Sequence, residues 1–351
     1  MLIPHAAASG GLETIGTPTL WAATIGAVVA LLALDFVLTR KPHAVSMKEA
    51  VGWSVFYVAL PLTFGAWIWS QYGQGTGVEY LTGYLVEKSL SVDNLFVFML
   101  LLTAFAVPKE LQQRVLLYGI IGALVLRGIF IALGAAALNS FDAAFLVFGA
   151  ILLLTGLKLL KDALSDEEHE MDVDQIKSVR FVRRFMPVTT DYEGPKMLGR
   201  IDGKRALTPF ALVTIAVLAT DIVFAVDSVP AVYGITGDPY LVFATNAFAL
   251  LGLRALYFVL EAALSKLVHL SFGLAAILFF IGAKLVLHWG HLTWPSVPEI
   301  PTVASLFVIV GILAITTVTS LMASKKAEAR AAQEGRDGST DDASEESSLS
   351  R

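Results

Sequence analysis

The chain has 351 residues, 56% of them hydrophobic and only 16% charged, with a formal net charge of −5. Soluble domains average about 25% charged residues, so this composition excludes an ordinary soluble protein of the same length and places the apolar surplus in a membrane. There is no cysteine, which excludes a disulfide framework, zinc–thiolate sites and thiol redox chemistry.

Runs of about 20 apolar residues, the length that spans a bilayer, number roughly nine. They fall near 18–39, 49–70, 79–105, 112–137, 141–163, 208–233, 239–264, 267–288 and 302–323. Residues 1–17 lack the basic region of a cleaved signal peptide, so they read as an extracytoplasmic N-terminus and the first run as a retained span. The membrane domain is then 18–323. Most connections are short; the exception, 164–207, is rich in charge. Residues 324–351 hold almost no large apolar side chain and are expected to be disordered.

Basic residues set the orientation. Arg40, Lys41 and Lys48 lie between the first two runs, Lys109 between the third and fourth, with Arg114 at the start of the fourth. Lys177, Arg180, Arg183, Arg184, Lys196, Arg200, Lys204 and Arg205 fill the long loop, Lys266 follows the seventh run, and Lys325 and Lys326 open the tail. The intervening connections, at 71–77, 139–142, 234–239 and 288–301, carry none. This unbroken alternation predicts the N-terminus outside and the C-terminus and the loop 164–207 in the cytoplasm.

The third to fifth runs resemble the sixth to eighth. Glu87 and Asp93 align with Asp221 and Asp227, Arg127 with Arg254, and Gly156 and Lys158 with Gly282 and Lys284. Polar matches in three successive helices point to an internal repeat, 79–163 and 208–288. Each unit has an odd number of spans, so the copies lie inverted. The expected fold is an all-α polytopic membrane protein of about nine helices with an inverted 3+3 repeat, an architecture that puts a substrate site near mid-membrane between the copies.

The acid pairs carry the chemistry. A carboxylate near a bilayer centre costs roughly 2.5–3.5 kcal/mol on insertion scales, so four in symmetric pairs point to use. Six residues are about 600° of helix, which sets the acids of one pair roughly 120° apart. Either each helix unwinds locally, helped by Pro230 in the second copy, or one acid of each helix faces its counterpart across the repeat interface. We favour a shared site with Asp93 and Asp221 near mid-depth and Glu87 and Asp227 flanking it towards the outside. The candidate ligands are all oxygen: these four carboxylates, the Asn94 and Asn246 amides, and the Ser91 and Ser228 hydroxyls. Such a set suits hard cations such as Mn²⁺, Mg²⁺ or Ca²⁺. Crowded carboxylates also hold protons more readily, so exchange of metal for H⁺ is a possible coupling. The structural alternative is that Arg127, Arg254, Lys88, Lys158 and Lys284 neutralise the acids; Arg127 and Arg254, at mid-span, are the candidate counter-ions.

The remaining features read as surroundings. Lys158 and Lys284 lie near span ends and should snorkel. His288, His291, Trp289 and Trp294 read as an interfacial belt. The run Asp166–Glu170 reads as solvated loop, and Arg180–Arg184 beside Phe181 and Phe185 as a basic segment near anionic lipid. Phosphate loops, nucleophile elbows and zinc-protease helices are all missing from the sequence, and neither an enzyme nor a nucleic-acid-binding protein is expected.

The segments EKSLSVDNLFVF, TDIVFAVDSVPAVYGITGDPY, NAFALLGLRALYF and RFVRRFMPVTTDYEG resemble the TerC family, over about Val45 to Ala323. The resemblance implies a bacterial inner-membrane protein grouped with LysE-type transporters. It further implies export of manganese, as in the Alx-type branch, or a link to tellurite resistance, with the metal path carried over to Glu87, Asp93, Asp221 and Asp227. An alternative role is to anchor soluble tellurite-resistance (stress-response) proteins through the loop 164–207, and some plastid relatives suggest an assembly factor. Many family members have a Glu three residues before the second motif's first acid; here that position is Leu218.

Overall fold

In a bilayer each backbone N–H and C=O must find its partner within the protein, and the α-helix does this inside one segment. The apolar runs accordingly fold as helices. The computed structural model describes residues 14–38, 45–164, 177–201, 203–261, 269–294 and 296–349. The elements are α1 (Pro18–Leu38), α2 (Met47–Ala104), α3 (Lys109–Ser140), α4 (Ala143–Leu164), α5 (Lys177–Phe185), β1 (Leu198–Ile201), β2 (Lys204–Leu207), α6 (Pro209–Tyr233), α7 (Pro239–Leu251), α8 (Leu253–Glu261), α9 (Leu270–Thr293) and α10 (Thr302–Leu349). Among the described residues, seven helices are long and apolar enough to cross a membrane, eight when α7 and α8, bent by 46°, are taken as one span.

The 58-residue α2 covers two expected spans. Gly73 interrupts it at φ 89°, ψ 176°, a conformation that glycine adopts without a steric penalty. The two legs then pack side by side. A Cβ on Gly65 would lie 2.9 Å from the Tyr80 ring, and one on Gly77 would lie 2.8 Å from the Trp69 Cβ. With the legs separated and α7–α8 joined, the helices account for every apolar run in the sequence.

The second leg of α2 runs antiparallel to α6, with Thr236 donating to Glu79 at 2.7 Å and Gly83 facing Val232. It also packs on α7; α3 packs on α6 and α7, and α4 on α9. Small residues allow the close approaches, as expected where lipid supplies no hydrophobic drive. Gly119 and Gly122 of α3 receive Val217 and Leu218 of α6, and Gly149 of α4 meets Gly282 of α9.

The connections that carry no Lys or Arg gather at one end. There Asp238 caps α7, accepting from Tyr240 N at 2.8 Å, and also holds Thr14 Oγ1 and Ile15 N at 2.6 and 2.8 Å. At the opposite end lies the basic loop, which holds the only β-strands among the described residues. Its α5 inserts Val179 among Leu95, Phe98 and Phe210, and β1 pairs antiparallel with β2. Tyr192 donates to Phe105 O at 2.8 Å, and burial pushes its hydroxyl up to about 12. Phe181 and Phe185 of α5 remain exposed, 4.9 Å apart between ring centroids. The acidic run Asp166–Glu170 lies outside the described residues.

α10 stays helical to Leu349, across the polar segment for which composition predicts disorder. Its first part there, KKAEARAAQE, consists of strong helix formers.

The α4–α9 contact generates a prediction. A Cβ on Gly149 would stand 2.9 Å from the Gly282 carbonyl oxygen, which is backbone and cannot step aside. Gly149→Leu should therefore destabilise the protein by about 1–3 kcal/mol or more. Gly26→Leu, whose Cβ meets nothing within 4 Å, should stay within about 0.5 kcal/mol of wild type. Thermal unfolding of the purified protein in detergent measures both.

Candidate functional site

Each acid motif sits on an uninterrupted stretch of helix. Gly73 is the only non-helical residue within α2, and α6 runs straight through Pro230, which lies near its end. The helices therefore do not unwind at the acids, and the site is assembled across the seam between them. Glu87 on α2 and Asp221 on α6 are 0% and 1% exposed.

Both acids meet one cation, Arg127 of α3, itself 0% exposed. Its Nη1 donates to Glu87 Oε1 and, at 3.0 Å, to Asn246 Oδ1 on α7. Its Nη2 donates to Asp221 Oδ1 at 3.2 Å and its Nε to Asp221 Oδ2 at 3.4 Å. The Asn246 amide is fixed in turn by donating to Val242 O at 3.0 Å. A planar fork of this kind matches carboxylate geometry. Four helices thus converge on one guanidinium, and the first acid of each motif copy is part of the cluster.

Polar atoms are left over beside it. Glu87 Oε2, Ser91 Oγ, Asn94 Nδ2 and Ser228 Oγ are buried without a hydrogen-bond partner. Helical spacing puts Ser91 and Asn94 on the face of Glu87, four and seven residues on, and Ser228 on the face of Asp221, seven residues on. Buried groups of this kind are rare in native structures and call for an explanation such as a ligand or water.

The other expected site residues distribute as follows. Asp227 is half-buried on α6. Asp93 belongs to α2, but its side chain lies outside what the structure describes. Arg254 is a counter-ion to a different acid than expected. It clasps Asp35 of α1, with Nε to Oδ2 at 2.8 Å and Nη2 to Oδ1, and donates to Gln113 of α3 at 2.8 Å. Neither Asp35 nor Gln113 was singled out from the sequence, although Asp35 is a carboxylate inside an apolar run and that alone is a signal. Lys88 reaches Ala249 O at 3.4 Å, at the end of α7. Lys158 is exposed, as snorkelling requires, whereas Lys284 is 8% exposed and lies in the field of Glu79 and Glu299. His288 pairs with Glu299 at 2.7 Å, and Trp289 packs on Trp294. Leu218 fills the space over Gly122 in the α3–α6 seam. Among the described residues, no three His, Cys, Asp or Glu side chains form a group that could hold a metal ion.

Breaking a buried ion pair by removing one partner costs about 3–5 kcal/mol, because the remaining charge stays buried. Arg127→Ala should therefore lose about that much stability. The triple variant Glu87→Gln, Asp221→Asn, Arg127→Gln, which leaves no charge behind, should lose less. Chemical denaturation in detergent compares them.

The model of the integral membrane protein TerC family matches residues 72–328. An uncharacterized membrane protein of Myxococcus xanthus, STKORF319, is 42% identical over 275 residues, 78% of this chain and 85% of that protein. Alx of Salmonella typhi, a proposed membrane-bound redox modulator, is 43% identical over 286 residues, 79% of this chain and 88% of its own. The uncharacterized MT2795 of Mycobacterium tuberculosis is 43% identical over 268 residues, 76% of this chain and 68% of its own. No solved structure matches the chain. With apolar helices in place of a soluble surface and the family pattern running from Tyr72 through both acid motifs to α10, the chain is a multi-pass membrane protein and belongs to the TerC family.

Proposed function

We propose that this protein is a secondary transporter that exports a divalent metal cation, manganese foremost, through a carboxylate site between two inverted repeats. The observation that carries the reading is the convergence of Glu87 and Asp221, the first acids of the two motif copies, on one buried point. Unpartnered oxygens from Glu87, Ser91 and Ser228 lie on the same helix faces. Oxygen donors of this kind suit Mn²⁺ and other hard cations. The repeat reading draws support from the packing. Each helix of the first unit lies on its sequence match in the second: the second leg of α2 on α6, α3 on α7, and α4 on α9. With the N-terminus outside and the basic loop in the cytoplasm, metal enters past Asp93 and Asp221 and leaves past Glu87 and Asp227. Thiol exchange is closed to a chain without cysteine.

Liposomes holding a fluorescent Mn²⁺ reporter test the reading. Wild-type protein should carry Mn²⁺, while Glu87→Gln, Asp93→Asn and Asp221→Asn should each lower the flux by about tenfold or more, the effect of losing roughly 1.4 kcal/mol of binding at the barrier. Equal flux from wild type and variants sinks the carboxylate mechanism. Leu218→Glu, one helical turn from Asp221, should raise apparent Mn²⁺ affinity by about three- to tenfold, since ligand charge tunes such sites.

A second reading, that the basic loop docks soluble stress-response proteins, draws on its folded hairpin. Glu193, Lys196, Arg200 and Arg205 line a cavity on that surface. Under this reading Arg200→Glu with Arg205→Glu abolishes co-purification of such partners with the full-length protein and leaves Mn²⁺ flux intact.

A further inference from the structure

Arg127 occupies the point where a cation shared by the two motif copies would sit. Its guanidinium holds one oxygen of Glu87 and both oxygens of Asp221. Arginine cannot be deprotonated in a protein, so it cannot clear the site by losing charge. The cluster of Glu87, Asp221 and Arg127 sums to one negative charge. A divalent cation added with Arg127 in place would leave one net positive charge buried in a low dielectric, which is strongly unfavourable. A divalent cation that replaces the guanidinium leaves the two carboxylates balanced. Metal and Arg127 therefore compete for the same oxygens.

The surroundings supply both halves of an exchange. The unpartnered Glu87 Oε2, Ser91 Oγ and Ser228 Oγ are oxygens that Arg127 does not use and a metal could. Asn246 offers the guanidinium a neutral resting place. Its carbonyl oxygen already accepts from Arg127 at 3.0 Å, and its amide is anchored on Val242 O at 3.0 Å, which fixes that orientation.

We infer that Arg127 is a tethered cation that takes the place of the transported ion between Glu87 and Asp221, and that divalent metal binds only as the guanidinium withdraws towards Asn246. The inference rests on the cation-transport reading and adds a resting state in which the site is closed by the protein's own charge. Apparent affinity then falls by the fraction of molecules in which the acids are free of Arg127; a free fraction of about one in ten weakens binding about tenfold.

Direct binding of Mn²⁺ to the purified full-length protein in detergent, by isothermal titration, separates the possibilities. Arg127→Ala should bind Mn²⁺ about tenfold or more tightly than wild type, and millimolar guanidinium ion should reverse the gain by competition. Arg127→Lys, which keeps a charge but loses the planar fork, guards against misfolding of the alanine variant and should bind more tightly than wild type by a smaller factor. Asn246→Ala should act with opposite sign and weaken Mn²⁺ binding severalfold. If Glu87→Gln with Asp221→Asn abolishes binding while Arg127→Ala and Arg127→Lys leave affinity unchanged or weaker, the acids are a cation site and the tethered-cation inference is overturned. If wild type and all variants bind no Mn²⁺, the transport reading falls and the inference falls with it.

Discussion

The fold depends on one contact: a buried guanidinium shared by Glu87, Asp221 and Asn246. Lipid tails are as apolar as leucine, so apolar side chains gain little by leaving lipid for another helix. Association and register must then come from close packing and from polar groups that have no acceptable position facing lipid. Arg127 on α3, Glu87 on α2, Asp221 on α6 and Asn246 on α7 meet that condition only when all four helices are in place. The glycine contacts at Gly83, Gly119 and Gly122 then let the backbones approach closely enough for side chains of ordinary length to span the gaps.

A second clasp, Arg254 with Asp35 and Gln113, does a different task with a matching residue. It ties α1 to α8 and α3, just beyond the break at Gly252. At the same break Lys88 presents its ammonium to Ala249 O, and a cation at a helix C-terminus is favourably placed against the dipole. The two arginines occupy equivalent positions in the repeated motifs, yet one holds acids from both motif copies and the other holds an acid from α1, a helix that precedes the segment matched by the family model. Arg127 joins α2, α3, α6 and α7, whereas Arg254 fastens α1 to the bent α7–α8 pair.

Much of this was legible in the sequence, and the limits have physical causes. Helix positions followed from apolar length, because the bilayer leaves the backbone few alternatives. The break within α2 falls at Gly73, inside the connection that the sequence predicts at 71–77. The sequence favours Asp93 with Asp221 at mid-depth and Glu87 as a flanking acid, whereas the structure brings Glu87 to Asp221 through Arg127; the reach of a side chain across a seam is not readable from helical spacing. Partner identity was not legible. Arg127 and Arg254 look alike in their local sequence, and only the packing of α1, fixed in part by Thr24 with Tyr240 at 2.6 Å and by Asp238 at the N-terminal segment, decides that Arg254 goes to Asp35. Pro230 suggests an unwound helix; it removes one i→i−4 hydrogen bond within the last turn of α6, beyond both acids, and leaves the helix at Asp221 and Asp227 intact.

The continuity of α2 and α6 through their acids also constrains how access to the site could alternate. A site built on unwound turns can open by local rearrangement of backbone. Here the acids ride on regular helix, so their separation changes only by motion of α2 against α6 as bodies or by movement of side chains between them. Where α2 meets α6, Gly83 faces Val232 and Thr236 donates to Glu79 at 2.7 Å. Arg127 adds a buried ionic link between the two helices. A guanidinium that holds both acids opposes their separation, and one that lets go leaves two carboxylates that repel each other in a low dielectric until a cation replaces it. On the transport reading proposed above, release of Arg127 and occupation by a divalent ion are two halves of one step.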